Sequence, residues 1–170
     1  MTTGARAVER DSAPPASLLD AVELHCRALA AAAARRVFTV PAEGAEAALR
    51  SASRSGARYD TVLSFMCTPQ VASLEDYVAA IELILADEGW IGMVEPAGID
   101  RGWLPGWLTA RLRRQLPPRR ATGRDAVSAV RARGLVITDI QRREARSVPP
   151  AWRQYVVLRA RRATPRPEGP

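Results

Sequence analysis

The chain has 170 residues, 47% of them hydrophobic and 25% charged, with a formal net charge of +7. A chain of this length buries enough apolar surface to fold as one domain, and two cysteines with one histidine exclude a disulfide framework or a metal cluster. No apolar run approaches the roughly 18 residues that cross a bilayer, and residues 1–15 lack a charged-then-apolar leader, so a soluble cytoplasmic protein is expected.

Residues 5–9 read as a short strand, and Asp11-Ser12-Ala13-Pro14-Pro15 as a turn, because proline cannot donate to a ladder. Ser17 is placed to cap a helix over 17–35, in which Leu18, Leu19, Val22, Cys26 and Leu29 keep helical spacing. Arg35 and Arg36 fall at its carboxyl end, where the dipole favours cations. Val37-Phe38-Thr39-Val40 is a buried-strand run closed by Pro41, and 45–53 a short Ala-rich helix. Residues 59–65 form the next strand, broken by Thr68-Pro69-Gln70. A helix over 74–86 carries Leu74, Val78, Ile81 and Leu85 on one face and ends at Asp87-Glu88-Gly89. Trp90 to Val94 is a third clear strand, closed by Glu95-Pro96.

Residues 99–106 read as loop and 104–116 as a helix stopped by Pro117-Pro118. Thr122 caps a further helix through 133, with Ala126, Val127 and Val130 inward and Gly134 after it. Strands follow at 135–140 and 154–158, then a Pro-rich tail. The expected organisation is a single domain over 1–163 and a disordered tail over 164–170. Alternating strands and helices predict an α/β fold with a mostly parallel sheet, and the last two strands, joined by a short loop, an antiparallel hairpin.

Every basic residue is Arg and there is no Asn, a bias that fits a GC-rich genome and weakens arginine enrichment as a sign of phosphate binding. The charge is nonetheless uneven. Residues 1–100 hold 8 Arg against 14 acids, a net of −6, and residues 101–170 hold 17 Arg against 4 acids, a net of +13. Either an acidic partner or mutual attraction of the two halves follows.

His25 and Cys26 are helix neighbours whose side chains do not face each other, so they make a poor ligand pair. Any serine or cysteine triad would have to use His25, and no nucleophile elbow accompanies it. Asp100, Asp139 and Tyr155 have suitable chemistry but no spacing that unites them, and the catalytic residue is left unassigned. The arginine clusters over 111–120 and 142–146 lack an RNA-binding motif, and aromatics are only 5%, which ranks nucleic acid low. Trp103 and Trp107, beside Arg111, Arg113 and Arg114, read as core, then as a partner interface, ahead of a membrane-surface segment.

Three segments together suggest a family: Tyr59-Asp60-Thr61-Val62-Leu63-Ser64, then Leu85-Ala86-Asp87-Glu88-Gly89-Trp90-Ile91-Gly92-Met93-Val94-Glu95-Pro96, then Val130-Arg131-Ala132-Arg133-Gly134-Leu135-Val136-Ile137. In this order the chain resembles the class I S-adenosylmethionine-dependent methyltransferases, in particular the small-molecule group called type 11, over residues 5–162. The resemblance implies a Rossmann-like methyltransferase sheet, S-adenosylmethionine as cofactor and a small-molecule acceptor. It implies that Glu9, with Asp11 as rival, holds the ribose hydroxyls. It sets Ala42 and Glu43 near the adenine, and Ser64 and Phe65 at the methionine end. All lie at carboxyl ends of parallel strands, where open α/β sheets bind ligands.

The family's first strand, glycine-rich loop and first helix have no counterpart, since eight residues precede Glu9. In the family that strand stands between the second and fourth, so its loss leaves two facing edges. The second strand could pair directly with the fourth, the amino-terminal segment could be no strand, or a partner subunit, such as a second copy, could cover the open edge. Two functions follow: a methyltransferase whose site a partner completes, or a non-catalytic relative acting as a binding or scaffold subunit.

Overall fold

A computed structural model of the chain describes residues 16–33, 35–97, 125–146 and 152–163. The first helix, α1 (Ala16–Ala31), buries Leu18, Val22 and Leu29, the stripe that its sequence spacing predicts. Ser17 lies inside its first turn rather than capping it, and the helix stops before Arg35-Arg36. The reason is tertiary: the Arg36 carbonyl accepts from the Asp60 and Thr61 amides, and the Arg36 amide and guanidinium donate to the Asp60 carboxylate. The basic pair therefore begins the sheet instead of ending the helix.

Next come β1 (Val37–Val40), α2 (Ala45–Arg54), β2 (Tyr59–Phe65), a 3-10 turn (Thr68–Gln70), α3 (Leu74–Ile84) and β3 (Leu85–Pro96). They are followed by α4 (Ala126–Ala132), β4 (Val136–Glu144) and β5 (Gln154–Arg161). Local sequence explains the caps. The Ser73 hydroxyl accepts from the Asp76 amide at the start of α3, and the Asp125 carboxylate from the Val127 amide at the start of α4. Asp125 thus caps α4; the expected cap Thr122 lies outside the described residues.

Among the described residues the sheet order is β1-β2-β3-β5-β4. The first three strands are parallel, and β5 runs antiparallel to both of its neighbours. This is the expected α/β sheet with its late reversed hairpin. The two internal pairings differ as their connections require: α2 and α3 are crossovers between parallel strands, while β4 and β5 need only a loop. β1 pairs directly with β2, with Val40 beside Ser64. The segment over 5–9 lies outside the described residues.

The sheet separates two cores. On one face α2, α3 and α4 pack Leu49, Tyr77, Val78, Ile81 and Val130 against Val62, Ile91, Met93 and Leu158. On the other, α1 packs Leu18, Val22 and Leu29 against Leu63, Val94 and Val157. Covered on both sides, β2 reads as an unbroken buried run from Thr61 to Ser64. No described helix is long and apolar enough to cross a membrane.

The junction of α3 and β3 departs from expectation. The helix ends at Ile84, two residues early, and Leu85 already pairs with Tyr59, while Thr61 pairs with Trp90. Residues between these two pairs form an irregular excursion within the strand. Gly89 is required there: a Cβ would lie 2.9 Å from the Ala86 carbonyl oxygen and 3.0 Å from that of Tyr59. The glycine serves close backbone approach, not a helix cap.

Candidate functional site

Because β1, β2 and β3 are parallel and in near register, their carboxyl ends gather on one side of the molecule. The rim there consists of the turn after β1, the residues after Phe65 and the end of β3. Leaving β2, Met66 adopts φ 55°, the left-handed region, although it carries a full side chain and is buried. Such a conformation costs roughly 1 kcal/mol or more and persists only where neighbours enforce it. The Met66 amide donates to the Val94 carbonyl at 2.8 Å. Cys67 returns to the right-handed region, at φ −85° and ψ −31°. A left-handed residue followed by a right-handed one turns successive amides to a common point and makes an anion-binding nest.

The acceptor is supplied from within. Glu95, fully buried near the end of β3, accepts four hydrogen bonds. Its Oε1 receives the Ser64 hydroxyl at 2.5 Å and the Cys67 amide at 3.2 Å. Its Oε2 receives the Thr68 amide at 3.0 Å and the Thr68 hydroxyl at 2.9 Å. Since Ser64 donates to Glu95, the Tyr77 hydroxyl, 2.8 Å away, donates to Ser64. The chain Tyr77–Ser64–Glu95 therefore ties α3, β2 and β3 together at the rim.

Burial sets the electrostatics. Desolvation pushes the Glu95 carboxyl above the usual range, against the pull of the Ser64, Thr68 and Cys67 donors. The Cys67 thiol is raised to about 11, first by burial and then by the nearby Glu95 charge. Burial also drives the Tyr77 phenol upward, with Cys67 and Glu95 adding to it. These three groups hold the rim and are shielded from solvent.

The residues singled out in the sequence fall in different places. Glu9 and Asp11 lie outside the described residues, as does Asp100. Ala42 and Glu43 stand exposed in the turn after β1. Ser64 is buried with its hydroxyl engaged inward, and Phe65 is half-buried against the α1 core. Asp139 is exposed on β4, remote in the sheet order from the parallel ends. Tyr155 is buried near His25, with ring centroids 5.8 Å apart, and desolvation raises its phenol. The structure thus brings Ala42, Glu43, Ser64 and Phe65 to one rim and leaves Asp139 apart. Sequence reasoning missed Glu95, Thr68 and Tyr77 as a unit. The available signal was an acid closing the buried run Ile91-Gly92-Met93-Val94, because a carboxylate there must find partners.

Comparison with solved structures shows the fold. The chain is similar to geranyl diphosphate C-methyltransferase from Streptomyces coelicolor A3(2), solved with Mg2+, geranyl diphosphate and S-adenosyl-L-homocysteine: TM-score 0.50, 10% identity, 83% of this chain and 78% of that chain. A geranyl diphosphate methyltransferase solved with SAM matches at TM-score 0.42 and 16% identity, over 75% of this chain and 67% of that one. Phosphoethanolamine N-methyltransferase 1 of Haemonchus contortus, solved with phosphoethanolamine and S-adenosylhomocysteine, matches at TM-score 0.38 and 13% identity, over 66% and 22%. No protein-family model matches the sequence, and no curated relative does. The molecule has the Rossmann-like methyltransferase fold.

Proposed function

We propose that the chain binds S-adenosylmethionine at the carboxyl ends of β1, β2 and β3 and serves methyl transfer to a small-molecule acceptor, as a type 11 relative whose site a partner subunit completes. The observation that carries this reading is the sheet itself: three parallel strands followed by β5 inserted antiparallel between β3 and β4. The likeness at TM-score 0.50 to a methyltransferase solved with S-adenosyl-L-homocysteine supports it.

The residues on the rim fit part of the cofactor. Glu43 offers an exposed carboxylate to an amino group, Ala42 leaves room beside it, and Phe65 gives an apolar edge at the end of β2. The ribose acids Glu9 and Asp11 remain expectations of the resemblance. Bound S-adenosylmethionine supplies a methyl group already activated on a sulfonium, so the protein's task is alignment and exclusion of water, and a histidine base is not required. Ser64 contributes by fixing the rim through Glu95 rather than by touching the ligand with its hydroxyl.

Two observations favour the scaffold reading. The Cys67 and Thr68 amides are already taken by Glu95, and the turn from Pro41 to Ala45 contains one glycine, Gly44. Calorimetric titration with S-adenosylmethionine separates the two. Binding that Glu9→Ala abolishes supports the enzyme, and no heat at millimolar cofactor supports the scaffold. Light scattering tests the partner: a dimer at micromolar concentration supports self-association, and a monomer removes it.

A further inference from the structure

We infer that Glu95 is the positioning residue of the rim, an internal carboxylate seated in the backbone nest of residues 66–68 that holds the segment after β2 against β3. The inference concerns the same rim as the proposed cofactor site but stands on the unliganded chain. Four features converge. Met66 takes a backbone conformation unfavourable to its side chain, and the amides of the two residues after it both point at Glu95. Two hydroxyls complete the set, one on each carboxylate oxygen. Tyr77 donates into Ser64, which leaves the Ser64 proton directed at the carboxylate. Finally, all of this is buried: Glu95 and Ser64 are 0% exposed, so water cannot substitute for a lost partner.

An amide nest accepts an anion and has no use for a donor. The carboxylate is therefore specific. Glutamine keeps the volume but brings an NH2 group to face either the Cys67 or the Thr68 amide, both of which can only donate. Glu95 also accounts for the Met66 conformation. Without Glu95, the Cys67 and Thr68 amides each lose the carboxyl oxygen that accepts from them, and the turn that aims them loses its support.

The test uses hydrogen exchange of the full chain by NMR, read at the Cys67 and Thr68 amides, for the native protein, Glu95→Gln and Glu95→Ala. Exchange at both amides is expected to quicken by about tenfold or more in both variants, the factor expected when an amide loses a charged acceptor. Amides in β4 and β5 should change much less. Formate added to Glu95→Ala should restore protection at the same two amides, and chloride at equal ionic strength should not. If the Glu95 variants fail to fold, Thr68→Val takes their place: it removes one hydroxyl donor and should quicken the same two amides more than those of β5. Unchanged protection at Cys67 and Thr68 in Glu95→Gln, or in Thr68→Val, would overturn the inference, as would a response to chloride equal to that to formate. Failure of S-adenosylmethionine to bind would count against the proposed function and leave these amide measurements intact.

Discussion

Replacing Ser64 by alanine should reveal the coupling within the buried chain Tyr77–Ser64–Glu95. The hydroxyl donates to Glu95 at 2.5 Å and accepts from Tyr77 at 2.8 Å, and the residue is 0% exposed. Its removal forfeits a bond to a carboxylate, about 1.5–3 kcal/mol, and strands a buried phenol, about 1 kcal/mol more. The total expected loss is about 2.5–4 kcal/mol, a large part of a domain's ~5–15 kcal/mol. The Tyr77 hydroxyl also faces the Cys67 thiol, but sulfur is a weak acceptor and recovers little. Tyr77→Phe alone leaves the Ser64–Glu95 bond in place and should cost about 1 kcal/mol. In the double variant no phenol is stranded, so its cost should fall below the sum of the single costs by about 1–2 kcal/mol. Urea unfolding followed by tryptophan fluorescence gives all three values. Additivity within about 0.3 kcal/mol would refute the chain of donors as drawn.

Other consequences follow from single contacts. Gly92→Ala places a methyl 2.8 Å from Trp90 and 2.9 Å from Leu63, so it should destabilise by about 1–3 kcal/mol in the same assay. Cys67, buried with its thiol raised to about 11, should resist iodoacetamide at pH 8 and react once urea unfolds the chain, as mass spectrometry would show. The Arg36 hydrogen bonds hold the Asp60 carboxyl below its ordinary range; its contribution to stability is present above the unfolded value, is lost as pH falls through the lowered one, and disappears in Asp60→Asn. Glu95 has the opposite sign: its raised carboxyl favours the fold at pH below the unfolded glutamate value and gives that part up as pH rises through the folded one, a slope that pH-dependent urea unfolding should find missing in Glu95→Gln.

Much of the sheet was legible because its strands are short apolar runs bounded by breakers. Val37–Val40 stops at Pro41, and Tyr59–Phe65 precedes Thr68-Pro69-Gln70. The antiparallel hairpin followed from a connection too short for a crossover. The α3–β3 junction was not legible. Asp87-Glu88-Gly89 has turn composition, and only the Leu85–Tyr59 pairing shows that the strand has already begun. The lengths of β4 and β5 were also underestimated, since Arg142, Arg143, Arg159 and Arg161 are poor markers of strand until pairing places them on one. At the site, the place was readable from strand ends, but the occupant of the nest was not. Glu95 lies 28 residues from Cys67 and 31 from Ser64, and nothing local ties them.

The parallel ends of β1, β2 and β3 form the rim proposed as the ligand site. Titrating S-adenosylhomocysteine into the isotope-labelled chain and following amide shifts tests that placement directly. The expected result is a saturable set of shifts centred on residues 42–44, 65–68 and Ala97. Saturable shifts confined to the far end of the sheet, around Tyr59, Leu85 and Arg161, or no shifts at millimolar ligand, would contradict it.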